Sequence, residues 1–406
     1  MTLPRLVAVL LVLIVAAPSP AQNAATQPAD VREPDHPAPL TGEWFGARPW
    51  IESHGLTFEA SYLVDWSKNL RGGVNTNGSN FGRMFDASLT LDTKQAGLWP
   101  DGTLFADFIC QGGDWASADV GDLQIIDNAD ADGRVELYEL WYQHTFLDGA
   151  VRIKVGKIDA NVDFDAANFA GDFLHSSPGY SPTILGLPTY PDPSTAAQIF
   201  IEPTKSTYLG LGVFDGATQE GFNTGLRGPS TFLGAPADLF LVAEGGFRWE
   251  FGADARPGRA AIGLWRHTGT FDRFDGGTDN GTCGAYALAD QCLWKDGDRE
   301  LGMFLQYGWA DPNVSAIEHH IGIGISLAGP IAERPEDSLG LMVSTVLLSN
   351  KAGFDDDFES AIELYYKCQV TPWLSIQPDL QYIVNPGGVT ENEDALALII
   401  RFVADL

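Results

Sequence analysis

The sequence predicts an all-β fold: a transmembrane antiparallel β-barrel of about 16 strands with a short N-terminal periplasmic segment. Three observations point there. Period-two alternation of apolar and polar residues recurs along most of the chain. The connections between these runs alternate between short and long, as barrel turns and external loops do. Beyond the N-terminus, no stretch has the roughly 18 unbroken apolar residues that a spanning helix needs.

The N-terminus reads as a leader. Arg5 precedes the apolar run Leu6 to Ala17, and Ser19-Pro20-Ala21 follows, the pattern of a secretory signal peptide cleaved after Ala21. Residues 22–39 are rich in Ala, Pro, Asp and Gln without periodicity and form a flexible leader; the barrel unit spans residues 40–406. Thr41 to Gly55 is long enough for a short helix, interrupted at Pro49.

From Leu56 onward strands dominate. Leu56 to Ser67 sets Leu56, Phe58, Ala60, Tyr62, Val64 and Trp66 against Thr57, Glu59, Ser61, Asp65 and Ser67. Arg83 to Thr93, Leu239 to Phe251 and Ile317 to Leu327 repeat the pattern. The strongest case is a hairpin near the C-terminus. Ile362, Leu364, Tyr366, Cys368 and Val370 lie on one face of Phe358 to Val370, and after Thr371-Pro372 the alternation resumes from Leu374 to Val384. A strand count of about 16 requires a weak strand near Gly284 to Trp294, and it leaves both termini in the periplasm. Tyr62, Trp66, Tyr138, Tyr142, Trp249, Tyr307, Trp309, Tyr366 and Tyr382 suit interfacial girdles.

Composition narrows the partners. With 24 basic and 54 acidic residues the net charge is −30, which argues against nucleic acid or an anionic lipid surface. Of the four cysteines, Cys283 and Cys292 lie in a Gly/Asp-rich stretch and are expected to form a disulfide closing a small external loop; Cys110 and Cys368 fall inside strands as small buried residues.

Motifs for catalysis are absent from the sequence. Asn128, Asp130, Asp132, Gly133 and Glu139 match calcium-loop positions, but Val135 to Phe146 reads as strand and carries Glu139 away from the loop. No nucleophile elbow, HExxH, CxxC or phosphate loop occurs, and His319-His320 face opposite sides of a strand. The expectation is a protein that is not an enzyme and needs no cofactor or metal.

The most function-like segment is Asn161 to Thr195, about 35 residues and far above ordinary loop length. Phe164, Phe169, Phe173, Tyr180 and Tyr190 make it too apolar for disorder, so it is expected to fold into the lumen and narrow it. Strand phase places Glu139, Trp141, Gln143, Arg152, Lys154, Glu244, Arg248, Glu363, Lys367, Gln377, Asp379 and Gln381 inside, with Tyr138, Leu140 and Tyr142 toward lipid. Asp163, Asp165 and Asp172 are expected to face Arg152, Lys154 and Arg248, because unpaired charge in a narrow pore is costly. Mixed charge beside a ring such as Trp141 or Tyr180 is what sugar recognition needs.

These residues resemble a known family, the carbohydrate-selective OprB-type porins. The matches are Leu40-Thr41-Gly42-Glu43-Trp44, Glu139 to Gln143 running into Gly156-Lys157-Ile158-Asp159, Leu187 to Pro191, and Tyr365 through Gly388. The resemblance implies a 16-stranded outer-membrane barrel of a Gram-negative-type bacterium, monomeric or homotrimeric and embedded in outer-membrane lipid, that passes mono- or small oligosaccharides by facilitated diffusion without cofactor. The sequence departs from the family pattern at Leu406, where an aromatic is usual. Two alternatives stay open: a general cation-leaning porin, and an exported soluble β-rich binding or hydrolytic protein.

Overall fold

A computed structural model describes residues 39–406; the signal-peptide and leader readings concern residues that lie almost entirely outside it. Sixteen strands follow one another in chain order. The first eight are β1 (Leu56–Arg71), β2 (Asn80–Asp92), β3 (Gly102–Gly113), β4 (Arg134–Phe146), β5 (Val151–Ile158), β6 (Ser194–Thr204), β7 (Thr207–Asp215) and β8 (Leu239–Phe251). The second eight are β9 (Arg256–Asp272), β10 (Thr278–Asp296), β11 (Arg299–Ala310), β12 (Ile317–Ala328), β13 (Ser338–Leu348), β14 (Phe358–Thr371), β15 (Leu374–Val384) and β16 (Ala395–Asp405). Each is antiparallel to its neighbours, and β1 pairs with β16 from Ser61↔Asp405 to Arg71↔Leu396, so the sheet closes without an edge.

One rim carries the long connections 72–79, 114–133, 159–193, 216–238 and 385–394, with the shorter 273–277, 311–316 and 349–357. The opposite rim carries 93–101, 147–150, 205–206, 252–255, 297–298, 329–337 and 372–373. Residues 159–193 are the third long-rim loop. The weak strand on which parity depended is β10, the longest of all; its Gly and Asp residues misled because it pairs fully with β9 and β11.

The barrel is apolar outside and largely polar inside. Ile321, Ile323, Ile325, Leu339, Leu341, Ile362 and Leu364 are exposed on the outer face, while Asp65, His320, Ser344, Glu363 and Gln381 are buried inside. Of the girdle candidates, Trp249, Trp309 and Tyr382 sit near strand ends, Tyr62 and Tyr366 lie nearer mid-strand, and Tyr142 accepts a 2.8 Å bond from Trp99 Nε1. Tyr138 departs from the girdle. The β3–β4 register slips at Asp107/Phe108, so β4 gains one residue there and the Tyr138 ring turns inward, where it is 7 % exposed.

The cysteine expectations are overturned. Cys283 and Cys292 lie in one strand, nine residues and roughly 30 Å apart, against the about 7 Å that a bridge tolerates. Cys283 points outward, and Cys292 is buried on the inner face. Cys110 is exposed on the outer face and Cys368 is half-buried there, because "buried" for an outward barrel residue means facing apolar solvent rather than protein. All four thiols are free. In purified, oxidised protein held in detergent, mass mapping is expected to find no Cys283–Cys292 bridge; in bilayers a lipid-soluble maleimide should modify Cys283 and spare Cys292. A recovered bridge would show that β10 is not one continuous strand.

Candidate functional site

The third long loop enters the lumen and follows the inner wall through most of the ring. Apolar anchors hold it first. Phe164 is fully buried among Phe200, Phe214, Phe240 and Trp265, and Phe173 among Phe304, Met342 and Tyr365. Each such ring removed from water contributes roughly 2 kcal/mol. The wall makes room by having no side chain at the contact points: a Cβ on Gly302 would run into the Phe169 ring, one on Gly308 into Ser181 and Thr183, and one on Gly340 would stand 2.8 Å from Phe173.

Wall carboxylates hold the loop's backbone. Glu139 accepts Asp159 N–H at 2.9 Å, Glu244 accepts Asp165 N–H at 3.0 Å, Asp290 accepts Asn168 N–H at 2.8 Å, and Glu363 accepts Leu174 N–H at 2.6 Å and His175 N–H at 3.3 Å. Glu359 does the same for the second long loop, taking Leu123 N–H at 2.9 Å. Tyr208 and Tyr286 hydroxyls, at 2.6 and 2.8 Å, complete the shell of Glu244. Glu139, Glu244, Glu363, Asp379 and Gln381 are thus buried loop supports rather than open pore lining; Gln381 donates to Ile126 O at 2.7 Å and to Asp379 at 2.9 Å. Strand phase found the face on which they lie. It could not show that a loop would cover them.

The charges form a mixed cluster where the loop meets β5. Arg152 Nη2 lies 2.8 Å from Asp163 Oδ1 and Lys154 Nζ 2.6 Å from Oδ2; Gln198 also donates to this carboxylate, and Arg152 Nη1 reaches Gln143 Oε1 at 3.2 Å. Burial alone would raise the Asp163 carboxyl, but the neighbouring Lys154 and Arg152 cations outweigh it and hold the group far below the ordinary carboxylate range. Lys154 Nζ sits 4.6 Å from the Trp141 ring centre, Phe105 stacks on that ring at 4.9 Å, and the indole Nε1–H has no partner. Tyr180 is half-buried in the same loop.

The other expected pairings are redistributed. Asp172 meets Lys367 at 2.8 Å and accepts from Ser338, while Arg248 meets Glu202 at 3.3 Å and covers the Tyr208 ring. Asp165 accepts Ser181 N–H at 2.7 Å instead of facing Arg248. Two arginines escaped the sequence reading. Arg259 pairs with Asp290 at 2.8 Å and donates to Ala166 O, and Arg401 holds Asp65 at 2.8 Å and Asp127, from the second long loop, at 2.9 Å. Their inward phase was legible; their partners, up to 336 residues away, were not.

One histidine, His320, joins the third long loop to β12 and β13, and a second, His175, lies buried in that loop. His320 lies 3.0 Å from both Ser181 Oγ and Ser344 Oγ, and Ser344 and Ser177 both donate to Gln124 Oε1, at 2.7 and 3.0 Å. His175 Nδ1 accepts Ser177 N–H at 3.2 Å, which fixes its neutral tautomer with the proton on Nε2. Burial, with His320 nearby, pushes the His175 pKa down to about 3. A histidine kept neutral in the docked loop is protonated only when the loop lets go. Its contribution is therefore complete above the free-histidine value of about 6.5 and falls, by up to about tenfold per pH unit, from there toward about 3. Asp165, raised by burial and then by Glu244, acts in the opposite sense. His175→Asn is accordingly expected to flatten the acid-side loss of amide protection at residues 174–177, measured by hydrogen exchange corrected for intrinsic rates. An unchanged slope would remove His175 from the account.

Comparison with known proteins accords with this geometry. The family model described as "Carbohydrate-selective porin, OprB family" matches residues 77–403. Porin B of Pseudomonas aeruginosa is 25 % identical over 419 residues, covering 89 % of this chain and 90 % of the relative. A putative porin, QuiX, of Acinetobacter baylyi is 22 % identical and covers 88 % and 90 %. Among solved structures, the high-pH form of Pseudomonas putida OprB superposes with a TM-score of 0.80 at 19 % identity, covering 92 % of this chain and all of that one; the low-pH form gives 0.60. A closed 16-strand barrel with its apolar face outward, and a family match over most of its length, make this chain a member of the carbohydrate-selective OprB porin family of the Gram-negative outer membrane.

Proposed function

We propose that this outer-membrane carbohydrate porin passes neutral mono- and small oligosaccharides by passive diffusion, and that selection occurs where the third external loop meets β5 and β6. The carrying observation is the Asp163 cluster. Arg152, Lys154 and Gln198 converge on one carboxylate, with Gln143 accepting from Arg152, beside the Trp141 edge, whose buried N–H is unpartnered. Arg152, whose side chain is 16 % exposed, carries the edge of this cluster to the lumen, so a neutral sugar passing it meets a fixed donor backed by a buried acceptor and exchanges hydrogen bonds without needing a net charge. Each exchange is worth about 1 kcal/mol, enough to bind and weak enough to release. Lys367 with Asp172, and Arg248 with Glu202, are partly exposed and extend the same mixed pattern along the lumen. The porin family match supports a channel rather than an enzyme.

One observation favours a cation-leaning channel as a second reading. The second external loop, 114–133, carries Asp114, Asp119, Asp130 and Asp132 and no Lys or Arg, besides the buried Asp122 and the Arg401-paired Asp127, a bias that favours cations at the mouth.

Single-channel recording separates the two. Glucose or a maltooligosaccharide is expected to block the ion current, and Arg152→Ala or Trp141→Ala should raise the half-blocking concentration roughly threefold to tenfold while leaving open conductance similar or larger. Absence of block in the unmodified channel, with a reversal potential strongly favouring cations, would overturn the sugar reading.

A further inference from the structure

The N-terminal segment lies on the outside of the barrel. The Trp44 ring sits 5.4 Å from that of Phe58, and Phe58 pairs across the strands with Leu89, an exposed residue of the outer face. The segment is tied to the seam where β1 and β16 close the ring. Leu40 N–H donates to Asp405 O at 2.9 Å, and Arg48 donates to the Leu406 main-chain oxygen at 3.0 Å while its guanidinium lies 4.5 Å from the Trp44 ring centre. Arg48 is buried, so the only basic group of the segment is occupied by the barrel itself.

What the segment turns away from the wall is aromatic. Phe45 is fully exposed and Trp50, in the short helix α1 (Ala47–Glu52), is 62 % exposed. Phe45 has φ +57°, a left-handed conformation that bulky residues rarely adopt. The surface continues an existing one. Asp92 N–H donates to Gly55 O at 2.8 Å, joining the segment to the turn 93–101, where Leu98 and Trp99 are exposed and Trp99 bonds the girdle residue Tyr142. This is the periplasmic rim, where amphipathic rings belong in a membrane barrel.

We propose that residues 40–52 are an interfacial anchor, bedding Phe45 and Trp50 into the headgroup–acyl boundary of the periplasmic leaflet. The occupant of this face is lipid. Continuity with the girdle and the outer apolar wall argues for it, and the acidic residues Glu43 and Glu52, with Arg48 already occupied, make the attachment apolar rather than electrostatic. It should therefore be insensitive to salt.

The test uses the full chain in phosphatidylethanolamine–phosphatidylcholine vesicles, with the four native cysteines replaced by Ser. A single bimane-labelled cysteine is placed at Phe45→Cys or Trp50→Cys, and Ser230→Cys, on the fourth external loop, serves as the water-exposed control. Folding of each variant is checked by heat-modifiable gel mobility, and either labelled site carries the same readout if the other fails to fold. A nitroxide lipid labelled near its headgroup should quench sites 45 and 50 at least several-fold more than site 230, with the reverse order for aqueous iodide, from low to molar salt. Iodide quenching at 45 and 50 equal to the control would overturn the anchor. So would protection from both quenchers that disappears on dilution of the protein in lipid, which would assign the face to a second copy of this chain.

Discussion

The inner wall of this barrel works because its carboxylates accept loop amides. A loop drawn into a lumen must leave its backbone N–H groups paired, since each left bare away from water costs free energy comparable to a lost hydrogen bond. β-strands cannot supply main-chain acceptors inward, because their own carbonyls are committed to the ladder. Glu139, Glu244, Asp290, Glu359 and Glu363 supply them instead, from β4, β8, β10 and β14. A carboxyl group has several lone pairs to offer, so one side chain can accept two amides at once, as Glu363 does from Leu174 and His175. Their distribution around the ring fixes the path of the third loop, and that path brings Asp163 to Arg152 and Lys154.

The same wall serves two solvents and is built differently toward each. Outward, Ile, Leu and Val repeat with little interruption. Inward, the pattern depends on what lies against it. Beneath the loops, on β11 to β16, apolar residues such as Phe304, Met342, Ala361, Ile383, Ala397 and Ile399 join the polar ones on the inner face. Glycines open sockets for Phe169, Phe173 and Ser181 where the loop presses closest. Where the lumen stays wet, charged pairs remain half-exposed. Partition between these regimes follows the loop, not the strand.

A lumen so occupied has little electrical freedom. Most inward charges are committed to partners on the loops or on other strands, so the charge pattern met by a permeating molecule is set by a few partly exposed pairs. Asp163 is the most constrained, held by two cations and an amide. Under the function proposed above, a fixed, mixed arrangement of this kind would discriminate by hydrogen-bond geometry rather than by net charge, which suits neutral polyhydroxylated solutes.

Much of the architecture was legible before any coordinates. Alternation on Leu56 to Ser67 and Phe358 to Val384 showed which residues face out, because a pleated strand has period two and one of its faces here meets apolar solvent. Loop asymmetry separated a long-loop rim from a short-turn rim, and the long aromatic loop was recognisable as a lumen element. Local reading failed where one residue changes phase or where partners are far apart in sequence. A single bulge at Asp107/Phe108 turned Tyr138 inward, and a Gly/Asp-rich run taken for a disulfide loop is strand β10, which keeps Cys283 and Cys292 far apart. The sequence alone determined the sheet, its faces and the supply of inward charge, since these follow from neighbours two positions apart. Tertiary structure alone decided which charges pair and which stay wet, because Arg401 with Asp127 and Lys367 with Asp172 meet only after the ring has closed and the loops have folded inside it.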